Sequence, residues 1–151
     1  MAMPERKQLA FLESLAAERS DAHAAQLAKA RQALAAAEQQ LVVLQRYESG
    51  YHVQLGEKLD VAVAIETVRG HHRFMQNVAH AVRQQELEVA RRRANADAIE
   101  RVWQDSERRR QGFGVMVSKA ADAGRKADAR LQQKHNDEFA TRRYLQSNIG
   151  F

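Results

Sequence analysis

Apolar and small residues in the first third of the chain recur at alternating steps of three and four, the spacing of a coiled-coil seam. Less regular apolar positions, beginning at Leu9, precede them, and Pro4 suits a first helical turn because its missing N–H would have no partner there. The pattern predicts a first helix over about residues 5–56. Its regular seam positions are Leu27, Ala30, Leu34, Ala37, Leu41 and Leu44.

Beyond Leu44 the apolar positions are four residues apart, which predicts that the seam shifts around the helix in a stutter. The chain then offers its best break, because Gly56 permits a helix C-cap and Asp60 can serve as the next N-cap. We therefore predict a turn over about residues 57–64. The stutter positions are Tyr47, Tyr51 and Leu55.

A longer heptad pattern follows and predicts a second helix over about residues 65–143, with a frayed C-terminus at residues 144–151. The fold class predicted is all-α, with the two helices paired as an antiparallel coiled-coil hairpin in one domain, residues 1–151. Because the second helix is longer, its far end should lack an intramolecular partner and expose apolar surface for binding. The pattern runs through Val82, Gln85, Val89, Arg92, Ala96, Ile99, Trp103, Ser106, Arg110, Phe113, Val117, Ala120, Gly124, Ala127 and Leu131.

Composition agrees with a thin coiled coil more than with a broad core, since 28% of the residues are charged and 6% are aromatic. The chain contains no cysteine, which excludes disulfides, thiolate metal sites and a cysteine nucleophile. The N-terminus lacks the apolar stretch of a signal peptide, and no window reaches eighteen uninterrupted apolar residues. We expect a soluble, cytosolic protein that the general secretion route does not export.

The net charge of +5 is unevenly placed along the chain. Residues 1–65 carry 7 basic and 8 acidic groups, whereas residues 66–151 carry 17 and 11. Acids are interspersed among the bases, as in Arg91, Arg92 and Arg93 followed by Asp97, which is typical of a solvated helix face. This mixture favours a solvated surface over a nucleic-acid site, although a basic nucleic-acid-binding hairpin is one alternative.

The sequence offers little catalytic or metal-binding chemistry. The six histidines contain no pair four residues apart and no His-Glu-x-x-His arrangement, which argues against a helix-borne zinc site. The segment Gly112-Phe113-Gly114 lacks the following Lys-Ser/Thr of a phosphate loop. We therefore predict that the chain is not an enzyme and that it has no cofactor, no metal and no small-molecule substrate.

Two sets of residues at steps of four, three and four should lie side by side next to the turn of such a hairpin. They could simply pack on one another, or they could form a protein-binding surface, since tyrosine supplies many interface hot spots. The sequence leaves both interpretations open. The sets are Gln40, Leu44, Tyr47 and Tyr51 on the first helix and Phe74, Val78, Ala81 and Gln85 on the second.

Three segments together resemble the flagellar FliJ family: residues 39–51 (QQLVVLQRYESGY), 74–85 (FMQNVAHAVRQQ) and 136–142 (NDEFATR). The resemblance implies a non-enzymatic coiled coil of the flagellar type III export apparatus, similar to the stalk subunit of rotary ATP synthases. The helical ends of such proteins insert into the hexameric export ATPase, FliI, and the turn end contacts the cytoplasmic domain of the export gate protein FlhA. Export chaperones are further partners, and membrane contact is through the apparatus at the cytoplasmic face of the inner membrane.

By that resemblance the gate-binding face maps onto the two sets described above. The chain departs from the family pattern at Val78, where leucine is more frequent, and at Gln85, where a histidine is known. An injectisome stalk protein and a generic coiled-coil scaffold are alternatives with the same architecture. The residues that the resemblance suggests for ATPase binding are Lys119, Arg125, Lys126, Arg130 and Phe139.

Overall fold

The structure is a computed structural model that describes residues 5–59 and 64–149. It contains two helices, α1 (Arg6–Leu59, 54 residues) and α2 (Ile65–Ile149, 85 residues), and none of the described residues lies in a strand. The predicted all-α fold with a longer second helix is confirmed.

Each helix begins at a definable residue. The side-chain oxygen of Gln8 accepts a hydrogen bond from the backbone N–H of Glu5 at 3.2 Å, which is the glutamine half of a capping box. The carbonyl of Glu5 accepts from the backbone of Gln8 and Leu9 and so closes the first turn of α1. Ala64 does the same for α2, where its carbonyl accepts from Thr67 at 3.0 Å.

Both helices continue further than the predicted ends at residues 56 and 143. Gly56 lies inside α1, which ends at Leu59, and no glycine among the described residues has a positive φ. A glycine costs a helix only about 1 kcal/mol relative to alanine, too little to end it without a competing cap. The remaining turn positions, Asp60 included, lie at residues 60–63, outside the described part of the chain.

The contacts divide the chain into two compact units. The first contains Met1–Ser20 together with Ser106–Phe151, and the second contains Asp21–Asp105. Each unit therefore takes one segment from α1 and one from α2. We refer to them as the terminal unit and the central unit.

In the central unit the two helical segments are antiparallel. Successive α1 residues meet progressively earlier α2 residues: Arg31 pairs with Glu100 at 3.2 Å, and Glu38 pairs with Arg93 at 3.0 Å. Nearly all the predicted seam positions of this unit are buried or half-buried, Arg92 being an exposed exception. Buried alanines allow the backbones to approach closely. The buried apolar side chains are Leu27, Ala30, Ala37, Met75, Val78, Val82, Val89 and Ala96.

In the terminal unit the same antiparallel pairing repeats every seven residues on both helices. The guanidinium of Arg6 donates to the carbonyl of Ala121 at 3.0 Å, and the hydroxyl of Ser20 donates to the carboxylate of Glu107. Between them, Glu13 lies beside Gly114. Leu9 and Ala16 are the buried apolar residues of α1 in this unit. The heptad predicted for α2 is therefore confirmed as far as Gly124, with Arg110 exposed.

The predicted stutter at Tyr47 is wrong. Tyr47 is 60% exposed, whereas Glu48 and Tyr51 are half-buried, so the seam continues from Leu44 in steps of four and three. The side chain of Leu55 lies outside the described set. Tyr47 can remain exposed because an apolar side chain need not face the partner helix when the next residue already occupies a regular seam position.

The regular seam of α1 also extends through the terminal unit. Leu9, Glu13, Ala16 and Ser20 are buried or half-buried at steps of four, three and four, and Ser20 is only 1% exposed. The small hydroxyl of Ser20 fits this tight position.

The seam ends where α1 ends. Every residue from Arg125 to Asn148 is exposed, including Ala127 and Leu131, which the heptad pattern placed in the seam. Arg6, the first residue of α1, already reaches Ala121, so no α1 residue remains to cover the rest of α2. The exposed segment, residues 125–148, is called the bare helix below.

Replacing Gly112 by alanine should stabilise the chain by about 1 kcal/mol, because alanine is a better helix former and an added Cβ meets no atom within 4 Å. The gain should appear as a higher midpoint in urea denaturation followed by circular dichroism at 222 nm.

Gly124→Ala is the matched comparison. A Cβ at Gly124 would lie 2.7 Å from the Arg6 guanidinium and displace it from the Ala121 carbonyl, so the net gain should be smaller than at Gly112. Equal gains at both positions would contradict a contribution from the Arg6 contact.

Candidate functional site

An aromatic cluster joins the two helices in the central unit. The ring of Tyr51 packs on Phe74 with centroids 4.3 Å apart and an interplanar angle of 31°. It also lies 5.6 Å from the ring of His71. Tyr51 and His71 are half-buried, whereas Phe74 is 38% exposed. Tyr51 therefore supports Phe74 from beneath, and one face of Phe74 remains available to solvent.

Three members of the predicted binding face belong mainly to the helix seam. Val78 is buried, and Leu44 and Ala81 are half-buried. Side chains in these positions contact the neighbouring helix and offer a partner little area. Their contribution to any site is to fix the two helices beneath it.

Gln85 ties α2 to the backbone of α1. Its side-chain amide donates to the carbonyl of Ala37 at 3.0 Å and to the side-chain oxygen of Gln40 at 3.3 Å. Gln85 is half-buried and Gln40 is exposed. The bridge holds Gln40 in a defined place at the edge of the seam.

The structure thus separates the eight predicted residues into a surface and its support. Gln40, Tyr47 and Phe74 are exposed, and the other five hold them in place. The structure adds Val43, which is exposed one helical turn before Tyr47. Val43 is not among the predicted residues, although the sequence shows a β-branched apolar residue there at a position outside the heptad. We name Gln40, Val43, Tyr47 and Phe74 the aromatic surface.

The residues suggested for ATPase binding are all exposed in the terminal unit, and they do not converge. Lys119 and Phe139 are separated by roughly 30 Å of helix at 1.5 Å per residue. The guanidinium of Arg125 pairs with Asp122 on the same helix. Lys126 and Arg130 are exposed on the bare helix.

The net charge of the chain resides in the terminal unit. Residues 1–20 and 106–151 carry 13 basic and 8 acidic groups, whereas residues 21–105 carry 11 of each. Counting charges by unit locates the excess of basic residues more closely than counting them in the first and second halves of the sequence. An acidic partner would be attracted to the terminal unit first.

The described residues contain no group of three or more metal-ligating side chains. Within the same part of the chain, neither helix has a stretch both long and apolar enough to cross a membrane. Exposed apolar side chains lie both on the aromatic surface and on the bare helix.

Comparison with known proteins identifies the family. The family model described as "Flagellar FliJ protein" matches residues 5–148. The chain belongs to the FliJ family. Flagellar FliJ proteins of Salmonella typhi and Escherichia coli (strain K12) are each 26% identical to it over 140 residues, covering 93% of this chain and 95% of the relative. No solved structure matches the chain.

Membership of the FliJ family confirms the resemblance carried by residues 39–51, 74–85 and 136–142. The matched region includes both helices almost completely, so the aromatic surface and most of the bare helix lie within the family region. The chain is accordingly a flagellar protein of this family, whose name describes no catalytic activity.

Proposed function

We propose that the chain is a non-enzymatic, stalk-like component of the flagellar type III export apparatus, linking the hexameric export ATPase FliI to the export gate protein FlhA. It also assists the delivery of chaperone-bound substrates. The family match over residues 5–148 carries the proposal. Both relatives are flagellar proteins by name, which favours the flagellar apparatus over an injectisome.

The aromatic surface is the proposed gate-binding site. Tyr47 projects into solvent, and the exposed face of Phe74 is fixed by the ring of Tyr51 behind it. A rigid, exposed aromatic side chain binds a partner pocket at little entropic cost, since packing has already ordered it. Leu44, Val78, Ala81 and Gln85 act as the support, so they would affect gate binding by holding the aromatic surface in place.

The bare helix is the proposed ATPase-binding segment. It has no partner among the described residues of α1, and it carries exposed Leu131, Phe139 and Leu145 among basic side chains. An apolar and basic helix of this kind suits the lumen of a ring that carries acidic groups. Charge complementarity would mainly raise the rate of docking.

Coupling between the two partners would depend on differential binding. A coiled coil that binds the ATPase through one unit and the gate through the other can bias either only if its affinity differs between their states. Hydrolysis would remain with the ATPase. The protein would act in the cytoplasm and be held peripherally at the inner membrane by the apparatus.

Tyr47→Ala should weaken binding to the cytoplasmic domain of the gate protein from the same organism about thirtyfold, corresponding to roughly 2 kcal/mol for an interface hot spot. Isothermal titration calorimetry with the purified full chain measures this directly. The helix content should be unchanged, because Tyr47 lies outside the seam.

Tyr144→Ala is the matched control, since Tyr144 is a similarly exposed tyrosine on the bare helix. It should leave gate affinity unaltered. Failure of the parent chain to bind, or an equal loss in both variants, would reject the aromatic surface as the gate-binding site.

A further inference from the structure

A line of exposed residues follows α2 in the central unit on the side opposite the seam. Its members are three, four or seven residues apart, so they share one face of the helix. The buried residues Met75, Val82 and Val89 lie on the other side. We name this line the basic stripe, and it consists of Ile65, Arg69, Arg73, His80, Arg83, Leu87 and Arg91.

The middle of this face is basic. The central unit carries equal numbers of basic and acidic groups, and Glu66 lies on this face at its N-terminal end, but no carboxylate lies on the stripe between Arg69 and Arg91. Glu86 and Glu88 lie on its two flanks. Arg91 pairs with Glu88 at 3.2 Å but keeps 76% of its side chain exposed.

The other arginines of the stripe are available to a ligand. Arg69, Arg73 and Arg83 are exposed, and none of them forms an ion pair with another described residue. A guanidinium offers two parallel N–H donors that match the oxygens of a phosphate. The stripe is therefore suited to an array of phosphate groups.

The arrangement of these charges indicates which phosphate array fits. From Ile65 to Arg91 the stripe extends roughly 39 Å in nearly a straight line at 1.5 Å per residue. A flat surface can contact every residue of the stripe at once, whereas the grooves of a nucleic-acid duplex wind around its axis and follow a straight stripe for only part of its length. The only ring on the stripe is the imidazole of His80, and the stripe contains no Phe, Tyr or Trp, the main side chains on which single-stranded nucleic acids stack their bases.

Two exposed aliphatic side chains strengthen the choice of a lipid surface. Ile65 and Leu87 lie on the stripe among the arginines, and Leu87 is 60% exposed. An exposed aliphatic side chain beside arginines can enter the acyl boundary of a bilayer while the guanidinium groups bind the headgroup phosphates. A nucleic-acid backbone would offer these two residues no apolar partner.

We propose that the basic stripe binds directly to an anionic phospholipid surface. This interaction goes beyond the proposed stalk function and requires neither the ATPase nor the gate. It also revises the expectation that membrane contact occurs only through the export apparatus. The central unit would lie along the bilayer with the seam of α2 facing away from it.

Vesicle flotation of the full chain tests the proposal, with vesicles of phosphatidylglycerol and phosphatidylcholine in equal parts and with phosphatidylcholine alone. The parent should bind only the anionic vesicles, and added salt should weaken the binding. The double variant Arg73→Gln, Arg83→Gln should lower the partition coefficient about thirtyfold, since each basic residue near such a surface contributes roughly fivefold.

The control is Lys29→Gln with Arg46→Gln, which removes the same charge from exposed positions of α1 in the same unit. It should bind as the parent does, and circular dichroism should show that both variants keep their helices. Equal losses in the two double variants would assign binding to overall charge, and undiminished binding in both would assign it to the terminal unit. Either result overturns the proposal.

A further arm separates lipid from nucleic acid. Duplex DNA at the same phosphate concentration should not displace the parent from anionic vesicles. If it does, and if Arg73→Gln with Arg83→Gln loses DNA affinity to the same extent, the stripe is a nucleic-acid site and the lipid proposal fails.

Discussion

Leu27→Ala is expected to destabilise the central unit by about 3 kcal/mol. Leu27 is 5% exposed and lies in the seam between buried Ala30 and the half-buried residues of the preceding turn. Removing its branched end leaves a cavity that a two-helix core cannot close without moving the backbone, so the lost burial and the lost packing add. Helix propensity cannot explain such a loss, because alanine is the better helix former.

Two measurements should report this effect together. Urea denaturation by circular dichroism follows the helices, and the fluorescence of Trp103, the only tryptophan, follows the central unit in which it is half-buried. Leu87→Ala is the control, since the same substitution in the same unit removes an exposed side chain and should change the stability by less than about 0.5 kcal/mol. Equal effects at Leu27 and Leu87 would contradict the assigned seam.

Ser20→Val should destabilise the terminal unit by about 3 kcal/mol. The Ser20 hydroxyl is the donor to Glu107, and a hydrogen bond to a charged group contributes roughly 1.5 to 3 kcal/mol. Valine also adds a methyl group where the side chain is 1% exposed, which forces a displacement of the neighbouring helix. Glu107 would keep Arg110 as a partner, at 3.4 Å, so its charge would not be left alone.

Ser14→Val supplies the comparison, because Ser14 is exposed on the same stretch of α1. Ser14→Val should lower the free energy of unfolding by only a few tenths of a kcal/mol, roughly the difference between the helix propensities of the two residues. The measurement is the urea midpoint by circular dichroism. A loss at Ser14 as large as that at Ser20 would show that the Glu107 contact adds nothing to stability.

The sequence predicted which residues belong to the candidate site better than it predicted which of them are exposed. The four-three-four spacing brought Tyr51 and Phe74 together correctly, because both lie within one helical turn of the seam. The same spacing assigned Tyr47 to the seam, where it does not belong. Periodicity alone cannot distinguish adjacent helix positions when both Tyr47 and Glu48 fit a step of three or four from Leu44.

The distribution of charge was also predicted only in part from the sequence. The sequence revealed that residues 66–151 are basic, but not that the central unit is balanced and the terminal unit holds the excess. That distinction depends on which part of α1 pairs with which part of α2. The basic stripe likewise could not be identified from the sequence alone, because it is the face of α2 opposite the seam and the structure was needed to locate that seam.

The sequence by itself determined that this protein consists of long helices, since proline is absent after Pro4 and the three-four apolar rhythm extends through both halves. It also determined the family, through motifs spread along nearly the whole chain. Only the tertiary structure decided which residues of the aromatic cluster face solvent, where α1 stops covering α2, and that Ser20 meets Glu107. These features depend on the register between two helices, and register is fixed by the sum of packing and polar contacts across the seam.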